Sequence, residues 1–412
     1  MIADHGAALR VLIFTQHFAP EVTAARFRVE SFARCLVERG HEVRVVCPVP
    51  NHPQGVVRPG YEARALQRRR VDGIEVAYLR VAVTPAKTLR HRLAYYGSYA
   101  AMAAAVGSAM RRPDVILATS PPLTVGAAAA LVAARHRVPW VLDVRDLWPE
   151  VAVTLGEVRP GALVTSAEWL ERRLYHNAAR VTTVTEPFRE AITQRNTDPA
   201  KVLLIPNGTT RAWLEIGERD VPRQAVGIPE DRFVWTYAGN VGLSHGLEVA
   251  IEAAARLGDG FQLLVIGEGP LRESLERRAA DLPEGTVRFR PLVEAAQLAR
   301  VLRASDALLA IQRGALTKVV SSKLYDYCAV GRPVLAVAEG EMRRLVEGRG
   351  AALGVPAGDP ETLAGAVRRL SRDRGLRTQL ANEGRRFAAE HLRERQAARL
   401  AVQLELLAAR PT

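Results

Sequence analysis

The 412-residue chain lacks the cysteine pattern of a disulfide-stapled or metal-binding protein. It has three cysteines, Cys35, Cys47 and Cys328, which are odd in number and far apart. Such a set predicts neither a disulfide framework nor a metal cluster, and it is typical of a reducing compartment. The chain also has no low-complexity tract. Its 48% hydrophobic and 25% charged residues indicate a globular protein with a sizeable core.

Several cofactor and nucleophile motifs are missing as well. Where the glycine-rich dinucleotide loop would follow the first predicted strand, the chain reads TQHFAPE, which argues against a nicotinamide dehydrogenase. No G-x-x-x-x-G-K-[ST] is present, which argues against a P-loop NTPase, and no G-x-S-x-G or His/Cys metal spacing occurs. Because no Asp-x-Asp stands at a strand end, we expect no metal and no other cofactor.

Acidic residues are too few to balance the basic ones. The formal net charge is +13 and the pI is near 10.2, which predicts an anionic partner such as nucleic acid, phospholipid or a phosphorylated substrate. Most of the positive charge is arginine, which a GC-rich coding bias also produces. No helix-turn-helix, zinc finger or aromatic stacking platform supports a nucleic-acid binder, so we expect no nucleic-acid partner.

Apolar segments alternate with helical patterns in two successive series. This alternation predicts an α/β protein of two Rossmann-like doubly wound domains facing a cleft, with ligands at the carboxyl ends of the strands. We place a first domain at 1–212, a second domain at 213–392, and a C-terminal helix at 393–412 that packs back toward the first domain. The last helical pattern runs over residues 374–408. The main predicted strands lie at 10–15, 42–47, 74–81, 115–120, 139–143, 233–238, 261–266, 306–311 and 333–337.

The stretch KVVSSKLYDYCAVGRPV at 318–334 predicts an anion-binding helix start. Helical spacing brings Ser322, Lys323 and Asp326 together in the first turns. Free N–H groups and a lysine suit a phosphate, and a carboxylate one turn later suits two ribose hydroxyls. An ordinary amphipathic helix with a capping serine and a glycine stop accounts for the same residues.

Residues 93–110 carry no charge but are rich in alanine, glycine and serine, so they are a weak candidate for a membrane span. Eleven Lys or Arg residues against three acids lie between Arg58 and Arg112. A basic helix with Tyr95, Tyr96 and Tyr99 fits the surface of an anionic bilayer. The alternative is a core-packing helix with solvated ends.

Further polar residues stand at predicted strand ends, and each has a structural alternative. Arg145 and Asp146 follow one strand, either as catalytic groups or as a structural ion pair. Arg28 is on the first helix, where it is either a ligand contact or part of a solvated face. Candidates in the second series are Asn240 and His245 after its first strand, and the tight turn of Gly267, Glu268 and Gly269.

Taken together, the motifs resemble those of the family 4 retaining glycosyltransferases. The first half contributes TQHFAPE, ERGHEVRVV, PNHPQG, ATSPPL and DVRDLWPE; the second contributes PNG, YAGNVGLSHGLEVAIEAA, LLVIGEGP, SSKLYDYCAVGRPV and GDPETLAGAV. The match is closest to the bacterial O-antigen and capsule subgroup that uses N-acetylated amino-sugar donors of the fucosamine type. It extends over residues 10–395 and implies the two-domain GT-B fold.

The resemblance implies roles for the second-domain residues. Lys323 would contact the donor diphosphate, with Ser322 beside it. Asp326 stands at the second glutamate of an E-x7-E pair, which binds the ribose, whereas the first glutamate is replaced by Lys318. Donor-binding positions would also include Asn240 and His245, where many relatives have arginine and lysine, and the turn Gly267, Glu268 and Gly269.

In the first domain the resemblance implies contacts near the sugar and the acceptor. Arg145 and Asp146 stand at the usual histidine position of the family and the residue after it, so we assign them with Lys323 to catalysis. Arg28 and the loop of Pro20 and Glu21 would face the phosphates. The acceptor side would comprise His17, Pro20, Glu21, Ser120 and Pro121.

These implications predict a hexosyl- or N-acetylhexosaminyl-type glycosyltransferase of cell-surface polysaccharide biosynthesis. It would take a nucleotide-sugar donor, a UDP-sugar, and a polyprenyl-diphosphate-linked or other saccharide acceptor. We expect it in the cytoplasm, with a peripheral position on the inner face of the cytoplasmic membrane as a further hypothesis. Two alternatives stay open: a UDP-sugar 2-epimerase of the same fold, and a non-catalytic sugar-nucleotide-binding subunit.

Overall fold

Continuous apolar runs form the parallel strands of two separate sheets. A computed structural model describes residues 8–62, 64–86, 88–217 and 220–409, so residues 1–7, Ala63, Lys87, residues 218–219 and residues 410–412 lie outside the described part. The chain divides into a first unit of residues 1–206 and 393–412, and a second unit of residues 207–392. Each unit is built around its own sheet.

The sheet of the first unit has eight strands in the order β3-β4-β2-β1-β5-β6-β7-β8. All neighbouring pairs are parallel except β3 with β4. The chain order changes direction between β1 and β5, which is the topological switch point of a doubly wound sheet. The strands are β1 Arg10–Phe14, β2 Glu42–Pro48, β3 Leu66–Val71, β4 Ile74–Leu79, β5 Val115–Ser120, β6 Trp140–Val144, β7 Arg180–Thr183 and β8 Val202–Leu204.

Helices cover both faces of this sheet. The C-terminal helix packs on α1, and Leu400 and Leu404 share a buried cluster with Phe32 and Leu36. Glu405 adds hydrogen bonds with Arg39 at 2.7 Å. The helices of this unit are α1 Ala24–Glu38, α2 Leu89–Ala109, α3 Leu123–His136, α4 Glu150–Thr154, α5 Ala162–Asn177, α6 Glu186–Gln194 and α15 Arg393–Ala408.

The second unit repeats the arrangement with six parallel strands in the order β11-β10-β9-β12-β13-β14. This is the strand order 3-2-1-4-5-6 of a dinucleotide-binding fold, with its switch point between β9 and β12. Its strands are β9 Phe233–Ala238, β10 Phe261–Ile266, β11 Val287–Arg290, β12 Ala307–Ile311, β13 Val334–Val337 and β14 Leu353–Val355. Its helices are α7 Arg211–Ile216, α8 Glu248–Ala255, α9 Arg272–Ala280, α10 Ala295–Ala304, α11 Ser322–Ala329, α12 Glu341–Glu347, α13 Pro360–Arg372 and α14 Arg374–Glu390.

The structure differs from the predicted boundaries in two places. The division falls after residue 206 rather than 212, because α7 packs against α10, α11 and α14 of the second unit. The helical pattern over 374–408 is interrupted at His391 and Leu392, where a bridge joins Thr209 to Leu392 and the Thr209 amide donates to the His391 carbonyl at 3.0 Å. Residues 393–408 thereby become a separate helix on the first unit.

The uncharged segment at 93–110 lies within α2. Tyr99, Ala103 and Gly107 form its buried face, which packs on α3, and a Cβ at Gly107 would lie 2.7 Å from the ring of Phe14. Leu89 and Leu93 lie on its exposed side. Within the ranges that the structure describes, no helix is long and apolar enough to cross a membrane.

Candidate active site

The switch point of the second unit is formed by the loops that follow β9 and β12, and by α11. Tyr327 ties α11 to the end of β9, because its hydroxyl bonds both the backbone N–H and the carbonyl of Ala238 at 2.8 Å. Arg313 ties the two loops together through its backbone N–H, which donates to the Ser244 carbonyl at 2.9 Å. The first turn of α11 is therefore held beside the carboxyl end of β9.

The side chain of Lys323 passes directly over the backbone at the end of β9. A Cβ on Gly239 would lie 2.1 Å from Lys323 Cε, and Gly239 has a φ of +138°. Glycine is thus required there both for its backbone conformation and for the passage of the lysine. Lys323 Nζ lies 3.4 Å from His245 Nε2 and 5.2 Å from the centre of the Tyr237 ring.

Burial disfavours the charged form of this ammonium group. It lowers the pKa of Lys323 to about 8. Burial and the charge of Lys323 together lower the pKa of His245 to about 3, so the histidine is neutral at pH 7. A charge held at this desolvation cost is one that an incoming anion would stabilise.

The predicted turn at 267–269 packs backbone to backbone against the loop after β9. A Cβ on Gly267 would lie 1.8 Å from the Gly239 carbonyl oxygen, and one on Gly269 would lie 2.3 Å from the Val241 carbonyl oxygen. The Val241 amide donates to the Glu268 carbonyl at 2.9 Å. The two glycines therefore act by close loop packing.

The remaining second-unit candidates are distributed around Lys323. Ser322 is the first residue of α11 and Asp326 lies one turn after it, both partly buried. Asn240 is exposed at the start of the loop after β9. The side chain of Glu268 pairs with Arg272 at 2.6 Å and is half exposed.

Lys318 lies in the loop between β12 and α11, where the family pattern has its first glutamate, and it is partly buried. Gln312 shapes this loop by donating from its side-chain amide to the carbonyls of Leu316 and Val319 at 2.9 and 3.0 Å. The backbone N–H of Glu341 donates to the Thr317 carbonyl at 2.7 Å and fastens the loop to the segment after β13. Position 318 therefore has a defined place next to α11.

In the first unit the structure brings Arg145 together with Ser120 and Pro121. The Arg145 amide donates to the Ser120 carbonyl at 2.9 Å, and its Nη2 donates to the Pro121 carbonyl at 3.0 Å. Burial lowers the pKa of Arg145 and raises that of Asp146, which each group's charge on the other partly offsets. The N–O distances among the described residues give no ion pair between these two side chains within 4.0 Å, so the predicted structural pair is a longer-range attraction.

Arg28 is buried inside the first unit. Its Nε and Nη2 donate to the two carboxylate oxygens of Asp143 at 2.9 and 2.8 Å, and further bonds reach the carbonyls of Ile205 and Pro206. Asp143 is fully buried and also accepts from Thr182 at 2.7 Å. The guanidinium is a structural tie inside the first unit and is buried, which corrects the alternative of a solvated helix face, whereas its contact with the phosphates stays a prediction.

His17 and Glu21 form a hydrogen-bonded pair in the loop after β1. His17 Nδ1 lies 2.5 Å from Glu21 Oε2, and Glu21 Oε1 accepts from the amides of Asn51 and His52. Burial alone would raise the pKa of Glu21, but these hydrogen bonds outweigh it and lower the pKa. Glu21 is therefore a carboxylate at neutral pH that fixes the orientation of the His17 ring; Pro20 precedes it in the same loop.

Sequence reasoning missed several residues of these sites. Gln16, Asn51 and Tyr95 meet beside His17. For Asn51 the signal is the turn-rich sequence PVPNHPQGVVRPG at 48–60, whereas Tyr95 was placed on a helix that fits either a membrane surface or core packing. Gly239 and Tyr237 enclose Lys323; the segment YAGN contains both, but only the contact with Lys323 gives them a role. Across the described segments, no group of three or more His, Cys, Asp or Glu residues is placed to hold a metal.

Two Rossmann-like units of this kind are the architecture of GT-B glycosyltransferases. The crystal structure of Anabaena HepE in complex with UDP superimposes with a TM-score of 0.73 at 15% identity, over 97% of this chain and 100% of that one. The complex of the same protein with UDP-glucose gives 0.72 at 16%, over 96% and 100%. At this identity the likeness defines the fold.

Comparison of the sequence with known families gives a more specific assignment than the fold. Residues 23–208 match the family described as a glycosyl transferase 4-like domain, and residues 232–373 match glycosyl transferases group 1. The chain therefore belongs to the glycosyltransferases built from these two domains.

Two curated relatives support this assignment. The putative colanic acid biosynthesis glycosyl transferase WcaI of Escherichia coli K12 is 28% identical over 343 residues, which are 80% of this chain and 84% of that protein. The probable glycosyltransferase WbjE of Pseudomonas aeruginosa is 28% identical over 268 residues, which are 62% and 66%.

Proposed function

We propose that the protein transfers a sugar from a UDP-sugar to a saccharide acceptor in the biosynthesis of a cell-surface polysaccharide. The observation that carries the proposal is Lys323, a desolvated ammonium group laid across Gly239 at the switch point of the second unit. A nucleotide diphosphate is the ligand that this type of site accommodates. The likeness to HepE, which binds UDP and UDP-glucose, supports the choice of nucleotide.

Lys323 would act on the leaving group. Cleavage of the bond between the sugar C1 and the diphosphate oxygen leaves the electron pair, and so the growing negative charge, on the diphosphate. A preorganised ammonium group at that position stabilises the transition state more than the ground state. Ser322 and the free amides of the first turn of α11 would contribute further donors, and Asp326 would accept from the ribose hydroxyls.

The transfer itself would proceed with retention of configuration. An acceptor hydroxyl attacks C1 on the face from which the diphosphate leaves, and its proton passes to a diphosphate oxygen. One C–O bond breaks, one forms, and the products are UDP and the glycoside. The step requires no nucleophile from the protein and no metal, because Lys323 and backbone amides would meet the diphosphate charge.

The first unit would bind the acceptor. Asp146 is suited to accept a hydrogen bond from an acceptor or donor hydroxyl: its carboxylate has no hydrogen-bond donor among the described residues, and burial raises its pKa. Arg145, fixed to the carbonyls of Ser120 and Pro121, would donate to the same region. The His17–Glu21 pair would present the His17 Nε2 to the acceptor.

The finer substrate assignment rests on the motifs and on the relatives. The resemblance to the amino-sugar subgroup favours an N-acetylated hexosamine as the donor sugar. The name of WcaI refers to colanic acid biosynthesis, which supports a polysaccharide acceptor, for which we propose a polyprenyl-diphosphate-linked saccharide. Contact of α2 with the inner face of an anionic membrane would bring the enzyme to such an acceptor.

A product assay tests this proposal. The protein is incubated with UDP-GlcNAc, UDP-GalNAc, UDP-glucose and UDP-galactose, each with and without a short-chain polyprenyl-diphosphate saccharide and with and without EDTA. We expect UDP release that depends on the acceptor, favours an N-acetylated donor and is unchanged by EDTA. Release of UDP with an altered free sugar and no acceptor would instead indicate the epimerase, and UDP binding without turnover the non-catalytic subunit.

A further inference from the structure

A small polar pocket lies within the first unit, beside the loop that follows β1. Its volume is about 200 Å³. This is below the roughly 300–1,000 Å³ of pockets for drug-sized ligands, so it admits a group of about one sugar ring. The residues that carry its chemistry come from three segments of the first unit: Gln16, His17, Asn51, His52, Tyr95 and Tyr96.

Tyr95 is the centre of the hydrogen-bond network in the pocket. Its hydroxyl oxygen accepts from Gln16 Nε2 at 2.7 Å and from Asn51 Nδ2 at 2.9 Å. Both lone pairs are thereby used, and the hydroxyl proton is left to donate. Burial raises the pKa of Tyr95, which keeps that proton in place across the physiological range.

Gln16 supplies the complementary acceptor. The residue is 6% exposed, and its Oε1 has no hydrogen-bond partner among residues 8–62, 64–86, 88–217 and 220–409. A buried amide oxygen without a donor is uncommon in a folded protein and indicates a ligand position. A hydroxyl that donates to Gln16 Oε1 and accepts from Tyr95 would satisfy both groups at once.

His17 adds a second acceptor in a fixed orientation. The contact of Nδ1 with the Glu21 carboxylate at 2.5 Å selects the tautomer with its proton on Nδ1, and this tautomer has its free lone pair on Nε2. Nε2 has no hydrogen-bond partner in the part of the chain that the structure describes. His17 therefore offers an acceptor for a second hydroxyl.

The charge around the pocket favours a neutral ligand. The Glu21 carboxylate is taken by His17 and by the amides of Asn51 and His52. The Arg92 guanidinium, which also lines the pocket, pairs with Glu157 at 3.0 Å. The rings of Tyr95 and Tyr96 meet edge to face with centroids 5.6 Å apart, and they give the pocket an apolar wall.

We infer that this pocket is a subsite for one uncharged sugar ring of the acceptor, with Gln16, His17 and Tyr95 reading its hydroxyl groups. The inference rests on the proposed function in its identification of the ligand as an acceptor, but the binding of a sugar ring by the first unit stands by itself. The residue pattern accounts for specificity, because an acceptor without the matching hydroxyls would leave these buried groups unpaired.

The test uses Tyr95→Phe and Gln16→Leu in the full chain, with Tyr99→Phe as the matched control. Tyr99 lies one turn later on α2 and donates to the Val46 carbonyl at 2.9 Å, and it does not line the pocket. We expect each pocket variant to raise the acceptor KM about tenfold or more, as the loss of one to two ligand hydrogen bonds implies. The donor KM should not change, and Tyr99→Phe should keep both values. An acceptor KM for the pocket variants equal to that of Tyr99→Phe overturns the subsite and leaves the transferase function intact.

A binding measurement without donor separates the two proposals. Saturation-transfer NMR is recorded with methyl glycosides of glucose, galactose, mannose and N-acetylglucosamine, and inorganic phosphate is titrated in parallel. We expect at least one glycoside to bind the wild type and Tyr99→Phe but not Tyr95→Phe or Gln16→Leu. This result would support the subsite even if no donor is ever turned over. Binding that is equal in all four proteins, no glycoside binding at all, or phosphate binding in its place overturns it.

Discussion

Lys323 is the residue whose chemistry most directly connects this fold to its proposed substrate. Its ammonium group is desolvated, lies over the Tyr237 ring, and has the neutral His245 rather than a carboxylate as its nearest polar neighbour. Such an arrangement costs stability in the free protein, because the charged form loses hydration without gaining a counter-ion. A bound diphosphate would supply that counter-ion.

The stability of the free protein should reflect this cost. Lys323→Met should raise the free energy of unfolding at pH 7 by about 1–3 kcal/mol, because it removes a desolvated charge. The gain is limited because the site is still partly open to water. The folded pKa of about 8 lies below the unfolded value of 10.5, so the wild type binds fewer protons when folded. Its stability should therefore rise between these pH values, and the variant should lack that rise.

Urea unfolding at pH 7 and at pH 10 measures both effects. Lys201→Met is the matched control, because Lys201 lies in the first unit, where its Nζ donates to the carbonyls of His176 and Ala178. A Lys323→Met protein that is less stable than the wild type at pH 7 would show that the ammonium group is already satisfied without a ligand.

The same pKa predicts how catalysis depends on pH. Donor binding needs the charged lysine, so kcat/KM for the UDP-sugar should fall above pH 8, by about tenfold per pH unit once the lysine is neutral. The diphosphate of a UDP-sugar is a diester and has no proton to lose in this range. A profile that stays flat from pH 7 to pH 10 would remove Lys323 from the diphosphate site.

Not every site residue could be predicted from the sequence. Lys323 and Asp326 could, because helical spacing and a helix start place them in one turn. Arg28 could not: its bonds to Asp143 and to the carbonyls of Ile205 and Pro206 join segments more than 100 positions away. The pairing of Gln16 with Tyr95 spans 79 positions and could not be predicted from the sequence either.

At the scale of elements, close backbone packing at the ends of β9 and β10 determines the shape of the donor site. Gly239→Ala should displace Lys323, since the new Cβ would lie 2.1 Å from Lys323 Cε. We expect the donor KM to rise about tenfold or more while the acceptor KM is unchanged. The positive φ adds about 1–2 kcal/mol of backbone strain.

Gly258→Ala separates the two effects. Gly258 has a φ of +79° and no atom within 4 Å of the new Cβ, so it carries the strain without the collision. Thermal unfolding should show a loss of stability in both variants, with the donor KM altered only in Gly239→Ala. If both variants keep the wild-type donor KM, the packing of Gly239 on Lys323 is not needed for binding.

Strands that are buried along their whole length could be predicted, whereas elements whose bounds depend on contacts with other segments could not. The residues of β5 and β12 are buried throughout, and their apolar runs predicted them. The edge strand β3 escaped prediction, because LQRRRV exposes three arginines and pairs antiparallel with β4. The break between α14 and α15 has no glycine or proline to signal it; the bridge of Leu392 to Thr209 produces it.

The exposed side of α2 carries the membrane hypothesis. Leu89 and Leu93 are about half exposed, and Arg90 and Arg92 lie between them. We expect the protein to sediment with phosphatidylglycerol vesicles but not with phosphatidylcholine vesicles, and salt should weaken the binding.

Leu89→Gln with Leu93→Gln should weaken vesicle binding on the order of tenfold, as the loss of two partly inserted side chains implies. Leu131→Gln is the control, because Leu131 is 64% exposed on α3, outside this basic segment. Equal sedimentation of all three proteins would reassign α2 to core packing alone.

In the whole molecule, the same type of doubly wound sheet is present in both units. Each unit is a mostly parallel sheet whose strand order reverses once, and each has its polar residues in the loops next to that reversal. Alternation of strands and helices predicted both sheets. It could not predict that the division lies after residue 206, because contacts between segments distant in the chain decide that boundary.

A calorimetric titration of the full chain with UDP tests the donor site at Lys323 most directly. We predict one UDP bound per chain to the wild type and to Lys201→Met, and an affinity at least about tenfold weaker for Lys323→Met. Near-UV circular dichroism would confirm that the variants are folded. Equal UDP affinity in Lys323→Met and the wild type would contradict the assignment of the diphosphate to the first turn of α11.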